Sequence, residues 1–542
     1  MSDSQTVQWT ELLLGSQLAE RLCAMKESIL GEVGRRLPPS KGPSQSETED
    51  WRAIQAQRPW RLAARVVAGW MALFVAAWWI GTRGVQPRQS DLDAIAVKAP
   101  RVARPFQPTQ AVNPAVLAQI DWARIHRELF PAWIIAMQHE PFTVGYPEAE
   151  RTFFLLRAEA GKDPNLASLL TDLNEKMMDN ILGFSEDIHL LFKGWNDYLE
   201  GNGLAWRIEH HIENTPRGPR VYTLSYHVLA DMQVDTKGEA NRVLLLARED
   251  HTNLVEPYFG QTTIEHEGAL IVADRVADYA TQQLWPIFGT RGAQSDLQRA
   301  FGPAVRREAR SVLPEEVIGE LANAADLRDS LADAVRSLRT RSGCGGTVLI
   351  DDVAWTGLSQ RALSMVHHAA SRNARRNCKR LTNTDAQFLE TTSNRLAGDA
   401  ALEQSLGRLA GWLARAVTVH EVRHVADDRH AEAGSRTPAC PSCPESLGPN
   451  ERAELRAYLA AFGTDGLGYV SLMQACGTGG HGPGPSGAAL AYALSRLVPA
   501  GCDASPPDDL YARARLMETE LFGSTEPIAI PEGFPTTIPV RP

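Results

Sequence analysis

The sequence predicts an α+β protein with one transmembrane helix, a mixed α/β middle region that contains a small antiparallel sheet, and a mostly helical C-terminal domain. Three observations support this prediction: an uncharged apolar run at 66–81, strand-like periodicity between 204 and 249, and helical apolar spacing after residue 310. A chain of 542 residues is also too long for one compact core, so we expect two or three folded units.

The apolar run reads VVAGWMALFVAAWWIG and carries no charged residue. Extended back to Leu62 it is roughly 20 residues long, which is enough to cross the hydrocarbon core of a bilayer as a helix. Tryptophans at its ends, such as Trp60 and Trp79, suit the two membrane interfaces. The run therefore predicts a single membrane-spanning helix, and the alternative is a buried helix of a soluble domain.

The chain divides into five predicted segments that differ in composition and periodicity. They are a cytoplasmic amphipathic segment and linker at 1–60, the transmembrane helix at 61–82, a proline-rich spacer at 83–114, an α+β domain of unassigned role at 115–310, and the mainly helical domain at 311–542.

Three consecutive runs in the middle region are rich in β-branched and aromatic residues, and short turn-like stretches separate them. These runs occupy 204–213, 220–231 and 241–249, and they predict a small antiparallel meander. The apolar stretch that follows, from Gly268 to Leu284, is predicted as a helix.

The cysteines divide one against six across the predicted membrane helix. Cys23 precedes the helix, whereas an even set follows it: Cys344, Cys378, Cys440, Cys443, Cys476 and Cys502. An even set on the larger side fits disulfides in an oxidising compartment, so we expect the main body to be periplasmic or extracellular. Arginines flank both ends of the helix, and the positive-inside rule therefore gives no preference. A second, structural zinc held by thiolates is the alternative for the CPSC pair.

The formal net charge of -10 is spread along the chain. A protein that has nucleic acid as its main partner needs a dense basic face. The charge pattern therefore argues against nucleic acid as a partner.

The strongest chemical signal is the motif HEVRH at 420–424, near the end of a long amphipathic helix predicted from about 399 to 429. His420 and His424 are four residues apart, so both imidazoles project from one face of a helix and can bind one metal ion. Glu421 follows the first of them, where its carboxylate can take a proton from a zinc-bound water. The pattern predicts Zn²⁺ as the cofactor, the two histidines as ligands and Glu421 as the general base.

A zinc site with an open position needs a third protein ligand, and two residues compete for this place. Glu454 lies on a second predicted helix, for which Asn450 would be the N-cap. The competing residue is His430, because the spacing of His420, His424 and His430 resembles the metzincin signature. Asp427, however, stands where that family has the glycine of a sharp turn. Glu454 is therefore the preferred ligand.

Together, His420, Glu421, His424 and Glu454 resemble the active site of the HExxH zincins, and within them the gluzincin-type membrane-linked bacterial metallopeptidases. The resemblance covers residues 395–480, and it implies a mostly helical zincin-like domain, one zinc ion, and hydrolysis of peptide bonds in a protein or peptide substrate. The asparagine that usually precedes the third-ligand glutamate is missing, which leaves the subfamily open. The alternative is a non-catalytic cell-envelope scaffold or binding protein with a structural zincin-like domain.

Overall fold

A computed structural model of the chain describes residues 111–139, 147–179, 186–215, 218–250, 252, 258–263, 268–290, 295–340, 353–378, 380–430, 439–478 and 484–540. The predicted transmembrane helix at 61–82, the segment before it and most of the spacer lie outside these residues. No helix within the described ranges is long and apolar enough to cross a membrane. The described residues belong to one compact unit and combine helices with one sheet, which confirms the α+β class.

A layer of helices precedes the sheet. These helices are α1 (Pro114–Leu117), α2 (Trp122–Arg124), α3 (Phe130–His139), α4 (Pro147–Ala160), α5 (Pro164–Asp179) and α6 (Glu186–Gly201). One π-helical turn, Ile125–Leu129, joins α2 to α3. The apolar sides of the layer form a core of their own around Trp133, Phe192 and Trp195.

The sheet has six strands. They are β1 (Trp206–Thr215), β2 (Gly218–Thr236), β3 (Glu239–Arg248), β4 (Gly260–Thr263), β5 (Gly268–Val272) and β6 (Ile528–Ala529). Their spatial order is β1-β2-β3-β5-β4, with β6 beside β2. The first three strands form the predicted antiparallel meander. The sheet is larger and more mixed than predicted, because β5 pairs parallel with β3 and antiparallel with β4.

The predicted helix from Gly268 to Leu284 is wrong in its first five residues. Gly268–Val272 forms β5, and α7 (Ala273–Tyr279) begins only after it, continuing as π and 3-10 turns to Phe288. Every residue of β5 is buried, and a short apolar run of this kind has no periodicity that distinguishes a strand from a helix. The error matters for the site, because β5 holds the edge strand β4 in place.

The described residues from 295 onward are almost entirely helical, and the sequence predicted this from Pro314 onward. Their helices are α8 (Asp296–Val312), α9 (Glu315–Thr340), α10 (Gln360–Arg375), α11 (Asn383–Ala397), α12 (Ala400–His430), α13 (Pro449–Phe462), α14 (Gly468–Thr478), α15 (Pro485–Leu497) and α16 (Leu510–Phe522). They share one large core with a face of the sheet, so the strands of 115–310 and the helices of 311–542 pack together. The HEVRH motif lies on α12, which crosses this core.

The C-terminal tail packs directly on α12 at two glycines that are one turn apart. A Cβ atom at Gly407 would lie 2.6 Å from Thr537 Cγ2, and one at Gly411 would lie 2.5 Å from the carbonyl oxygen of Thr536. The backbone amide of Ile538 donates a hydrogen bond of 3.0 Å to the carbonyl of Gly407. The tail approaches α12 this closely because neither glycine has a side chain.

We predict that Gly411→Ala destabilises the protein, because the added methyl group would overlap a backbone carbonyl of the tail. Overpacking of this kind lowers the free energy of unfolding by about 1–3 kcal/mol, which chemical denaturation would measure. Gly319→Ala on α9 is the matched control, since nothing lies within 4 Å of its Cβ position. That alanine should stabilise the helix by about 0.5–1 kcal/mol. A Gly411→Ala variant as stable as the wild type would contradict the close contact.

Candidate metal centre

The structure brings the three preferred ligand residues together between α12 and α13. His420 and His424 lie one turn apart on α12, and their Nε2 atoms are 3.3 Å from each other. Glu454 faces them from α13, with Oε2 3.6 Å from His420 Nε2 and Oε1 3.7 Å from His424 Nε2. Among the described residues, these three form the group whose ligand atoms could hold a metal ion.

The separations between the ligand atoms fit a tetrahedral zinc site. Zinc binds imidazole nitrogen and carboxylate oxygen at about 2.0–2.2 Å, and tetrahedral geometry then places the ligand atoms roughly 3.3–3.6 Å from one another. The two Nε2 atoms, 3.3 Å apart, match this edge length, whereas the contacts of 3.6 and 3.7 Å reach different oxygens of Glu454. One ligand atom from each residue lies within 4.8 Å of the other two, and two imidazoles with one carboxylate are the donor set of an open zinc site.

The helix that carries Glu454 begins earlier than expected. Its N-cap is Gly448 and its first residue is Pro449, so the prediction of Asn450 as the N-cap is wrong. Proline suits the first helical position because its φ is already helical and its missing N–H would have no partner there. The helix then presents Glu454 in its second turn, toward the two histidines.

The competing ligand His430 lies at a different place on α12. The helix continues through His430, so the chain makes no sharp turn at Asp427. A residue six positions after His424 is displaced by roughly 9 Å along the helix axis. Asp427 is buried and accepts a hydrogen bond of 2.8 Å from Arg456 instead of shaping a turn.

Glu421 lies under the edge strand β4, a neighbour that sequence patterns did not indicate. Thr262 Oγ1 donates to Glu421 at 3.1 Å, both to Oε2 and to the backbone carbonyl. Gly260 packs on the same side chain so closely that a Cβ atom there would lie 2.6 Å from Glu421 Cγ. The strand therefore holds the carboxylate in one orientation and leaves the residue 8% exposed.

The surroundings of Glu421 and Glu454 shift the pKa values of these two carboxyl groups in opposite directions. Burial, followed by the charge of Glu454, raises the pKa of Glu421 to about 7, although His420 works against this shift. Burial also acts to raise the pKa of Glu454, but the facing imidazoles outweigh it and lower that pKa to about 2. Without metal, Glu454 is therefore a carboxylate at neutral pH, whereas Glu421 is close to its midpoint.

The two histidines also differ. Burial lowers the pKa of His424 to about 4, with the charge of His420 as the next cause, so His424 is neutral at neutral pH. Burial acts to lower the pKa of His420 too, but the carboxylates of Glu454 and Glu421 outweigh it and raise the pKa above its ordinary 6.5. In the metal-free site a proton is therefore held more strongly by His420 than by His424.

Two further residues of the site were missed from the sequence. Tyr458 lies one turn after Glu454 on α13, and its ring centroid is 4.9 Å from that of His420. Ser486, in the first turn of α15, interacts with the side chains of both Glu454 and Tyr458. The i,i+4 spacing from Glu454 could have indicated Tyr458, whereas nothing in the sequence links Ser486 to α13. His481, a minor candidate for a contact with substrate, lies outside the described residues.

All the cysteines among the described residues are in disulfide bonds. Cys440 is bonded to Cys443, and Cys476 is bonded to Cys502. Cys378 is disulfide-bonded as well. The CPSC pair, for which thiolate ligation was the alternative, thus closes a disulfide in the loop between α12 and α13.

No protein-family model matches the chain, and no curated protein or solved structure is significantly similar to it. The functional interpretation therefore depends on the chemistry and geometry of the residues described above.

We predict that zinc affinity rises with pH until His420 is fully deprotonated. Zinc binds neutral imidazole, so below the raised pKa of His420 it must displace one proton. Displacement of one proton makes the apparent affinity increase about tenfold per pH unit, and the increase levels off above that pKa. Competition with a chromophoric chelator between pH 5 and pH 9 would measure this dependence. If the affinity is constant over this range, zinc displaces no proton from His420, and the assignment of His420 as a ligand is contradicted.

Proposed function

We propose that the chain is a zinc metallopeptidase of the cell envelope, anchored by the predicted helix at 61–82, with its main body outside the cytoplasm. The observation that carries the proposal is the convergence of His420, His424 and Glu454, whose ligand atoms lie within 4.8 Å of one another. Glu421, directly after the first of these ligands, supplies a carboxylate at the same place. The disulfides support an oxidising compartment.

The residues of the site have complementary roles in this mechanism. Bound zinc would supply a water of near-neutral pKa and a positive charge for the substrate carbonyl. Glu421 would accept a proton from a water held beside it and would later deliver that proton to the leaving amine. Glu454 supplies the single negative charge of the ligand set, so a bound zinc ion would keep a net positive charge. A cation beside Glu421 also favours its ionised form at neutral pH, in which it can accept a proton.

The edge strand β4 favours an extended peptide as the substrate. This strand ends the spatial order of the sheet, and its outer edge has no strand partner among the described residues. An extended peptide can add to such an edge through main-chain hydrogen bonds. Because Gly260 and Thr262 of β4 contact Glu421, a peptide bound along this strand would lie next to the general base.

A second candidate function is a non-catalytic scaffold of the cell envelope, and the packing of β4 on Glu421 favours it. A general base must reach the water from which it takes a proton. Here Thr262 holds the carboxylate and Gly260 covers it. In this alternative, a metal at the three ligands would hold α13 against α12 and would not support hydrolysis.

We predict that Glu421→Gln keeps about one zinc per chain but loses a factor of 10²–10⁴ or more in rate, because it removes the base and spares the ligands. Glu454→Ala should purify without zinc and without hydrolytic activity, whereas His430→Ala should keep both. Glu403→Gln, an exposed position on the same helix as Glu421, is the matched control and should change neither. Metal analysis of the purified chain, combined with a casein or peptide-library assay, measures both properties.

Three results would overturn parts of the proposal. If the wild type binds zinc and cleaves substrate, but Glu421→Gln cleaves equally well, the general-base mechanism is wrong. If the wild type binds zinc and cleaves nothing, the scaffold function takes its place. Retention of zinc by Glu454→Ala, with loss in His430→Ala, would move the third ligand to His430.

A further inference from the structure

A buried ionic cluster lies beside the three metal ligands and joins the same two helices. Arg423 and Asp427 belong to α12, and they are 0% and 3% exposed. Arg456 belongs to α13, and it donates a hydrogen bond of 2.8 Å to Asp427 across the interface. Arg423 Nη1 lies 3.0 Å from a carboxylate oxygen of Glu526, in the chain that follows α16. Solvent therefore screens these charges poorly.

The ionic cluster is balanced in charge. Its bases and carboxylates are Lys237, Arg423 and Arg456, and Asp427, Glu518 and Glu526. Burying charges is costly, and well-packed apolar residues in the place of a buried ion pair often give equal or higher stability. We therefore attribute the cluster to a need for one defined arrangement of the helices, and not to a gain in the free energy of unfolding.

The pair Arg456–Asp427 is close to the ligands along both helices. Arg456 follows Glu454 by two residues, and Asp427 follows His424 by three, which are axial distances of roughly 3 Å and 4.5 Å. A shift or rotation of α13 that moved Glu454 away from the histidines would also break this buried pair. Glu526 holds Arg423, which lies between the two histidines in sequence, through its carboxylate and its backbone carbonyl.

We infer that Arg456 and Asp427 are positioning residues for the metal centre, because their ion pair keeps Glu454 within bonding distance of an ion held by His420 and His424. The inference rests on the proposed zinc site and concerns its assembly. Neither residue touches the ion, so each acts on metal affinity only through the place of Glu454. An effect of this kind vanishes when Glu454 itself is removed.

The test is a double-mutant cycle on zinc affinity in the full chain. Arg456→Met should weaken zinc binding by about 10–100-fold, as expected when the support of a ligand is lost. In a Glu454→Ala background, where His420 and His424 still bind zinc added in excess, the same substitution should cost less than about twofold, since the ligand that it positions is gone. Arg452→Met is the matched control. It lies on the same helix but donates to the carbonyl of Leu447, so zinc affinity should not change.

General loosening of the fold would lower zinc affinity by the same factor in both backgrounds, and that result would overturn the inference. Unchanged affinity of Arg456→Met would overturn it as well. If Arg456→Met does not fold, Asp427→Asn replaces it in the cycle, because it retains an acceptor for Arg456 and removes the charge; the same dependence on Glu454 is expected. Zinc binding by the wild type with no effect of these variants contradicts the inference alone, whereas a wild type that binds no zinc contradicts the proposed site.

Discussion

The packing of α13 on α12 is the contact on which the candidate site depends. Two sets of polar side chains cross this interface. One set faces Glu454 toward His420 and His424, and the other pairs Arg456 with Asp427. Buried polar groups are costly when they lose their partners. A shift of one helix against the other would therefore break both sets of contacts. The geometry of the site is thus a consequence of how one helix is seated on the other.

The surroundings of this interface give Glu454 and Glu421 different pKa values. Glu454 faces two imidazoles, which lower its pKa to about 2. Glu421 lies under β4, where burial raises its pKa to about 7. Two carboxyl groups whose environments push their pKa values apart are typical of sites that divide ligand and proton-transfer roles. Strand β4 belongs to the region at 115–310, for which the sequence indicated no role. Through Thr262 and Gly260 this region contributes directly to the site.

Sequence patterns predicted the parts of this arrangement that depend on local geometry. His420 and His424 are four apart on one helix, Glu454 lies on a second helix, and the runs that form the meander of β1 to β3 are rich in β-branched and aromatic residues. The N-cap of the second helix was predicted two residues too late, at Asn450, because the helix in fact begins with Pro449 after the N-cap Gly448. Contacts between distant segments could not be predicted in this way. Thr262 is 159 residues from Glu421, and the partner of Asp427 lies on another helix. The strand β5 was mistaken for a helix because its five buried residues show no periodicity.

X-ray absorption spectroscopy at the zinc edge of the zinc-loaded full chain tests the central claim most directly. The account predicts about four nitrogen or oxygen neighbours at about 2.0–2.2 Å, two of them imidazoles with their characteristic outer-ring scattering, and no sulfur. Replacement of Glu454 by alanine should leave the two imidazoles and change the oxygen shell. A sulfur shell at about 2.3 Å would place the metal on cysteines, and six oxygen neighbours without imidazole would show a surface-bound ion. Either result would contradict a metal centre formed by α12 and α13.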